Sequence, residues 1–248
     1  MTPALYTSPA GLWHAGRYRT ARGEIEVPAL WGRPTDVVAH LMDWVHQHVR
    51  KALPDERWMR TRFLKRSVPD ILAEGTTYCL RPCAERTLVA ATLLSLHGFR
   101  HRIVTHERRL AGLGPPSGHL AIEFDTEHGP YWFDFGTWES KFFEGTYTFR
   151  QEIGRTTAVE RVRSPFGQDT LHTAFCDLMP LLPSQVTAAD LEQGKEWFIR
   201  KELPHARPRH LSDRIVFSKE ASRYTPRWQR LGLPEPDGPA SDGTGWTS

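Results

Sequence analysis

Cys83-Ala84-Glu85-Arg86-Thr87-Leu88-Val89-Ala90-Ala91-Thr92-Leu93-Leu94 runs without a helix breaker until Gly98, and it reads as a helix with a cysteine in its first turn. Pro82 fits helix position N1, where its missing N–H costs nothing, so Cys83 is expected at N2. A thiol there meets the positive end of the helix dipole, which favours the thiolate and lowers its pKa. Outward from this helix, His119 heads the apolar stretch His119-Leu120-Ala121-Ile122-Glu123-Phe124, and Asp134 follows Tyr131-Trp132-Phe133. The turn residues His128-Gly129-Pro130 between them predict two antiparallel strands. A histidine on one strand can hold the thiolate as an ion pair and later protonate a leaving group. A carboxylate on the next strand fixes the tautomer and orientation of the ring.

Taken in order, these residues resemble the transglutaminase-like, papain-like cysteine enzymes. The resemblance rests on Cys83 with Glu85 two positions on, Leu93-Leu94, Gly98, the short strand Arg102-Ile103-Val104, His119 with Glu123, and Trp132-Phe133-Asp134. Fifteen positions separate Cys83 from Gly98 and His119 from Asp134, spacings that the family commonly shows. Upstream, Ile71-Leu72-Ala73-Glu74-Gly75 looks like the family's short helix and glycine turn, and the likeness spans roughly residues 36–138. One departure concerns that turn, which in the family runs almost directly into the nucleophile. Here Gly75-Thr76-Thr77-Tyr78 leads into Cys79, making Cys79 the alternative nucleophile. Downstream spacing, Glu85 and Pro82 favour Cys83.

The resemblance implies an α+β fold with a papain-like core, in which a central helix carrying the nucleophile packs on an antiparallel sheet. It implies acyl transfer through a thioester on an amide or ester: Cys83 attacks, His119 carries the proton and Asp134 orients it. The Cys83 N–H and one further donor hold the oxyanion. Water as acceptor gives a peptidase or amidase, an amine gives transamidation, and neither route requires a metal or organic cofactor. The partner is a peptide or protein substrate, with an amine as a possible second one. Two other readings stand beside this: a non-catalytic member of the fold that binds a peptide or protein, and a peptide-tailoring enzyme of a biosynthetic pathway.

The chain of 248 residues, 39% hydrophobic, is long enough to bury a sizeable core, and its formal net charge of +3 demands no polyanionic partner. No apolar stretch reaches membrane-spanning length, and Met1-Thr2-Pro3-Ala4-Leu5-Tyr6 lacks the regions of a signal peptide, so a cytoplasmic protein is expected. Three cysteines make no disulfide framework, and Cys176 reads as a small buried hydrophobe. Residues 1–34 are expected as an extension with a strand at Gly23-Glu24-Ile25-Glu26-Val27, residues 35–222 as the catalytic domain with its elaboration, and 223–248 as a disordered tail. Within the domain, Asp36 is expected to cap a helix whose apolar positions run from Val37 to Val49 and pack on the Cys83 helix. Phe142-Phe143 and Thr146-Tyr147-Thr148-Phe149 suggest strand, and 188–200 suggests helix.

Each site residue also has a plain reading. A cysteine is often an inert core thiol, a strand-end histidine is often only hydrogen-bonded, and Asp134 alone is a turn former. Glu85 reads as a first-turn carboxylate favoured by the helix dipole, although a negative charge so near opposes a thiolate. Glu123 reads as facing solvent. Zinc is the rival use of Cys79, Cys83, His97, His101, His106 and His119, but the cysteines form no tight knuckle and the histidines no paired motif. The basic run from Arg57 to Arg66, with Trp58 and Phe63, reads as a solvated face with an inward aromatic stripe rather than a nucleic-acid surface.

Overall fold

The computed structural model describes residues 12–13, 15–20, 23–99, 101–110, 117–126, 129–144, 156–163 and 187–217. Cys176, the stretch Thr146 to Phe149 and the tail from 223 lie outside them. In chain order the first part holds β1 (Leu12–Trp13), β2 (Gly16–Thr20), β3 (Gly23–Val27), β4 (Leu30–Trp31), α1 (Pro34–His48), β5 (Arg50–Ala52), α2 (Glu56–Thr61), α3 (Val68–Glu74) and β6 (Thr76–Tyr78). Then come α4 (Cys83–Leu96), β7 (His101–Leu110), β8 (Ser117–Thr126), β9 (Gly129–Phe135), β10 (Ser140–Glu144), β11 (Thr156–Arg163), α5 (Ala188–Trp197) and β12 (Ile215–Phe217). The architecture is mixed α and β. A six-stranded sheet in the order β11-β7-β8-β9-β10-β12 is antiparallel except at its β10–β12 edge, which is parallel.

α4 is buried on every side from Cys83 to Leu94, the signature of a central helix rather than a surface one. Its apolar residues Leu88, Val89, Leu93 and Leu94 share one core with Val37, Val38, Leu41 and Val45 of α1 and with Leu120, Ile122, Phe124, Phe133 and Phe135 of the sheet. Gly98, at φ 76°, ends the helix. Phe99 N–H reaches Leu94 O at 2.9 Å and Gly98 N–H reaches Ser95 O at 3.0 Å, the paired bonds of a Schellman stop. α3 starts on a Ser67/Asp70 capping box and ends on left-handed Gly75, as its sequence indicates.

Four local expectations need correction. α4 begins at Cys83 itself, with Pro82 as its N-cap, so the thiol sits one position earlier than N2. α1 is capped by Arg33, and Asp36 is its third residue, accepting from the Arg33 N–H. The two site strands pair as far as Thr126 and Gly129, so Gly129 and Pro130 lie within β9 rather than in the turn. Glu123 is buried, not solvent-facing, because Arg102 stands directly opposite on β7 and its Nε reaches the carboxylate at 2.7 Å. Residues 12–31 contribute Trp13, Ile25, Val27 and Leu30 to the main core.

The basic run forms α2 and the loop behind it, with Met59 and Phe63 inward beside Tyr78, Cys79 and Ile199. Three of its arginines are engaged by carboxylates: Arg60 by Glu56 and Glu196, Arg62 by Glu74, Arg66 by Glu74 and Glu85.

A second buried polar cluster ties the C-terminal segment to α4. Asp213 forms ion pairs with Lys51 Nζ at 2.8 Å and with the Arg86 guanidinium at 2.6 Å, while Arg86 Nε donates to Val49 O at 2.9 Å. Next to it, His46 bonds Ser140 Oγ at 2.7 Å and is held neutral, its pKa pushed down to about 3 by burial and by the charges of Arg86 and Lys51, against Asp213. Two buried cations thus share one carboxylate. Removing one partner of such a cluster leaves charge uncompensated in low dielectric. Asp213→Asn is expected to lower unfolding free energy by about 3–5 kcal/mol in urea titration, and a loss below about 0.5 kcal/mol, the ordinary surface value, would refute the role of the cluster.

Candidate active site

Three elements deliver the three predicted side chains. Cys83 is the first residue of α4, His119 lies near the start of β8, and Asp134 lies near the end of β9. In the register, Ala121 pairs with Asp134 and Ile122 with Phe133. His119, two residues before Ala121, therefore shares a face with Asp134 and is its diagonal neighbour, within reach of a long side chain. His119 Nε2 meets Asp134 Oδ2 at 2.8 Å. The other carboxylate oxygen, Oδ1, accepts the backbone N–H of Lys141 at 3.2 Å, from the strand on the far side of β9. Both oxygens are thus occupied, and the imidazole is left with Nδ1 for the sulfur.

The Cys83 thiol is in hydrogen-bond contact with His119. It also takes the backbone N–H of Leu120. This second contact follows from the sheet: β8 and β9 cease to pair beyond Ala121 and Asp134, and Leu120 is the next residue out on β8. The start of α4 meets the sheet where these two strands part.

Electrostatics at the site are a contest between burial and pairing. Burial pushes the Cys83 thiol up, but the hydrogen bond and charge of His119, then the charge of Arg81 and the Leu120 N–H, together bring it below the usual thiol range. For His119, burial works to lower the pKa and is outweighed by Asp134 and Cys83, which lift it to about 10. Both shifts favour the same state, a thiolate paired with an imidazolium. A helix dipole alone contributes about 0.3–1 kcal/mol, less than one pKa unit, so it cannot offset the burial of a thiolate without the histidine.

Cys79 is placed differently. It lies in the satellite core with Met59, Phe63, Tyr78 and Ile199, completely buried, and burial pushes its thiol up to about 11 despite the charge of Lys51. Of the two candidates, Cys83 is the one the structure brings to His119 and Asp134. Glu85 does not oppose the thiolate as its position implied. It is buried against Arg66, whose Nε donates at 3.1 Å, and takes the Thr77 hydroxyl at 2.7 Å, so its charge is compensated beside the helix start.

Of the remaining zinc candidates, His101 Nδ1 bonds Phe99 O at 2.9 Å, and His97 and His101 are both held neutral at about 4, chiefly by burial. Among the described residues no group of three or more His, Cys, Asp or Glu side chains is arranged to hold a metal ion. No helix among them is long and apolar enough to cross a membrane.

Sequence reasoning missed the Leu120 and Lys141 N–H groups, whose roles follow from where strand pairing stops, and it missed Arg81. The signal for Arg81 was present, since a cation two residues ahead of a nucleophile bears on its charge. Glu202, which holds Arg81, gives no signal at a separation of 121 residues. No family model, curated protein or solved structure matches this chain.

The pairing has a direct consequence in solution. Because the thiol is lowered and the imidazole raised, alkylation of Cys83 by iodoacetamide is expected to be fast well below the free-thiol pKa of about 8.5. His119→Ala is expected to move that profile upward, and Cys79 to stay unmodified until the protein unfolds. Peptide mass spectrometry after brief labelling reads both. Preferential labelling of Cys79 would reverse the assignment.

Proposed function

We propose that this chain is a cysteine-dependent acyl-transfer enzyme with a transglutaminase-like, papain-like core, acting on an amide or ester of a peptide or protein. The observation that carries the reading is the contact of Cys83 with His119 while Asp134 holds Nε2 of the same ring at 2.8 Å. A central helix with the thiol at its first residue, lying on a mainly antiparallel sheet, supports the fold assignment. We place the enzyme in the cytoplasm, where a reducing poise keeps such a thiol free.

In the reaction the Cys83 thiolate attacks the carbonyl carbon, and negative charge develops on the carbonyl oxygen. The Cys83 N–H, in the first turn of α4 and without an intrahelical acceptor, is placed to bind that oxygen. As the tetrahedral species collapses, the imidazolium of His119 gives its proton to the departing amine or alkoxide, leaving a thioester on Cys83 and a neutral ring. Water or an amine then attacks the thioester, passing its proton to His119, and Cys83 departs as the thiolate, so the ion pair is restored. Asp134 keeps the ring oriented through both halves and stabilises its charged form.

A p-nitrophenyl ester tests this chemistry without knowledge of the natural substrate. The wild-type protein is expected to gain the mass of one acyl group on Cys83 and to release it to water or to added methylamine, which separates hydrolysis from transamidation. Cys83→Ala is expected to abolish acylation while unfolding with nearly wild-type stability, and Cys79→Ala to retain most turnover. Asp134→Asn is expected to slow turnover by several orders of magnitude, as loss of the correct tautomer does in the analogous serine triad. A chain that never acylates, or acylates equally without Cys83, is a binding module or uses another nucleophile.

A further inference from the structure

Arg81 is held on two sides by residues distant in sequence. Its Nε donates to Glu202 Oε2 at 3.0 Å, a terminal guanidinium nitrogen bonds the other carboxylate oxygen, and the guanidinium carbon stands 4.8 Å from the centre of the Phe198 ring. Both partners come from one π-helical turn, Phe198–Glu202, that continues α5. Such turns are uncommon and frequently mark functional positions. This one sets Phe198 and Glu202 on the same cation and sends Ile199 into the core beside Cys79. At the other end, Arg81 N–H closes a tight turn on Tyr78 O at 3.1 Å, directly before the helix that presents Cys83. The Tyr78 hydroxyl behind it is fully buried and finds no hydrogen-bond partner among the described residues.

We infer that Arg81, clamped by Glu202 and Phe198, is a positioning residue that sets the charge felt by the Cys83 thiolate, so that the segment from Ala188 to Glu202 belongs to the reactive centre. This rests on the acyl-transfer reading above. The charged and titratable groups around the thiol come from every side of the helix start. His119 stands on β8 with Asp134 behind it on β9, Glu85 on the same helix is compensated by Arg66, and Cys79 and Tyr78 lie in the incoming segment with Arg81. Beside His119, Arg81 is a second cation acting on the thiolate, and Glu202 is the carboxylate that offsets it. The pair therefore delivers a graded positive field: less than a free guanidinium, more than a neutral side chain. A half-exposed arginine without a clamp would swing and leave the thiol. This one is 28% exposed and fixed by a fork and a ring.

Opposite charge changes should then move the thiol in opposite directions, which a merely structural role does not do. The test is the pH profile of Cys83 alkylation by iodoacetamide, a neutral probe that Arg81 does not attract. Arg81→Met is expected to move the midpoint up by roughly half to one pH unit, the scale for one charge beyond direct contact. Glu202→Gln, which keeps an acceptor for Arg81 but removes the carboxylate charge, is expected to move it down by a similar amount. Arg81→Lys is expected to restore much of the wild-type position, and it decides the matter if Glu202→Gln does not fold. Shifts of the same sign in Arg81→Met and Glu202→Gln, or a lowered wild-type profile indifferent to Arg81→Met, would overturn the inference and leave the acyl-transfer reading intact. A wild-type midpoint at the free-thiol position would overturn both.

Discussion

The contact between the Cys83 sulfur and the His119 ring is the interaction on which the arrangement of this molecule turns. It joins the start of the central helix to the place where β8 and β9 stop pairing, and neither partner is stable in its charged form alone. A buried thiolate needs a cation and donors, and a buried imidazolium needs an anion on each ring nitrogen. Asp134 and the Leu120 N–H complete that set, and Lys141 N–H holds Asp134 in turn. The strand register follows from the same requirement. A one-residue slip of β8 against β9 would carry His119 to the face opposite Asp134 and would bring Leu120, Ile122 and Phe124 out of the core.

Burying charge is costly, and this fold does it in several places with the same solution. Glu85 lies against Arg66 and Thr77, Glu123 against Arg102, and Asp213 between Lys51 and Arg86. Each links an element that carries the site to one that does not. Glu85 and Arg86, both on α4 within one turn of Cys83, reach respectively toward the loop after α2 and the C-terminal segment. Orientation of the helix start is thereby determined by paired charges as well as by apolar packing, and breaking one partner of such a pair leaves a charge uncompensated.

Local chemistry made much of this legible in the chain itself. The uninterrupted run after Cys83, the glycine at 98 and the apolar alternation through 119–124 and 131–134 carry helix, stop and hairpin without tertiary information, because each signal is a property of neighbours in sequence. What escaped was decided by partners far along the chain. Glu123 sits on the face opposite Ile122 and Phe124, which alternation assigns to solvent, and only Arg102 on the adjoining strand makes burial tolerable there. Arg66 reads as one more charge in a basic run until Glu85 is brought beside it. Residues 12–31 carry weak patterning, since short strands contribute single side chains such as Trp13 and Leu30 to the core. The choice between Cys79 and Cys83 turned on placement: both are buried and follow turn-forming residues, but Cys83 is the one brought to His119, where β8 and β9 stop pairing.

The account stands or falls on the protonation state of His119. Proton-detected NMR of the protein with ¹⁵N-labelled histidine, titrated from pH 5 upward, reports it directly, with His119→Gln identifying the resonance. The account predicts an imidazolium that persists past pH 8 and titrates near 10, and that falls sharply toward neutrality near the ordinary histidine value of about 6.5 once Cys83 is replaced by alanine. A His119 ring already neutral at pH 7 in the wild-type protein, and unmoved by that replacement, would contradict it.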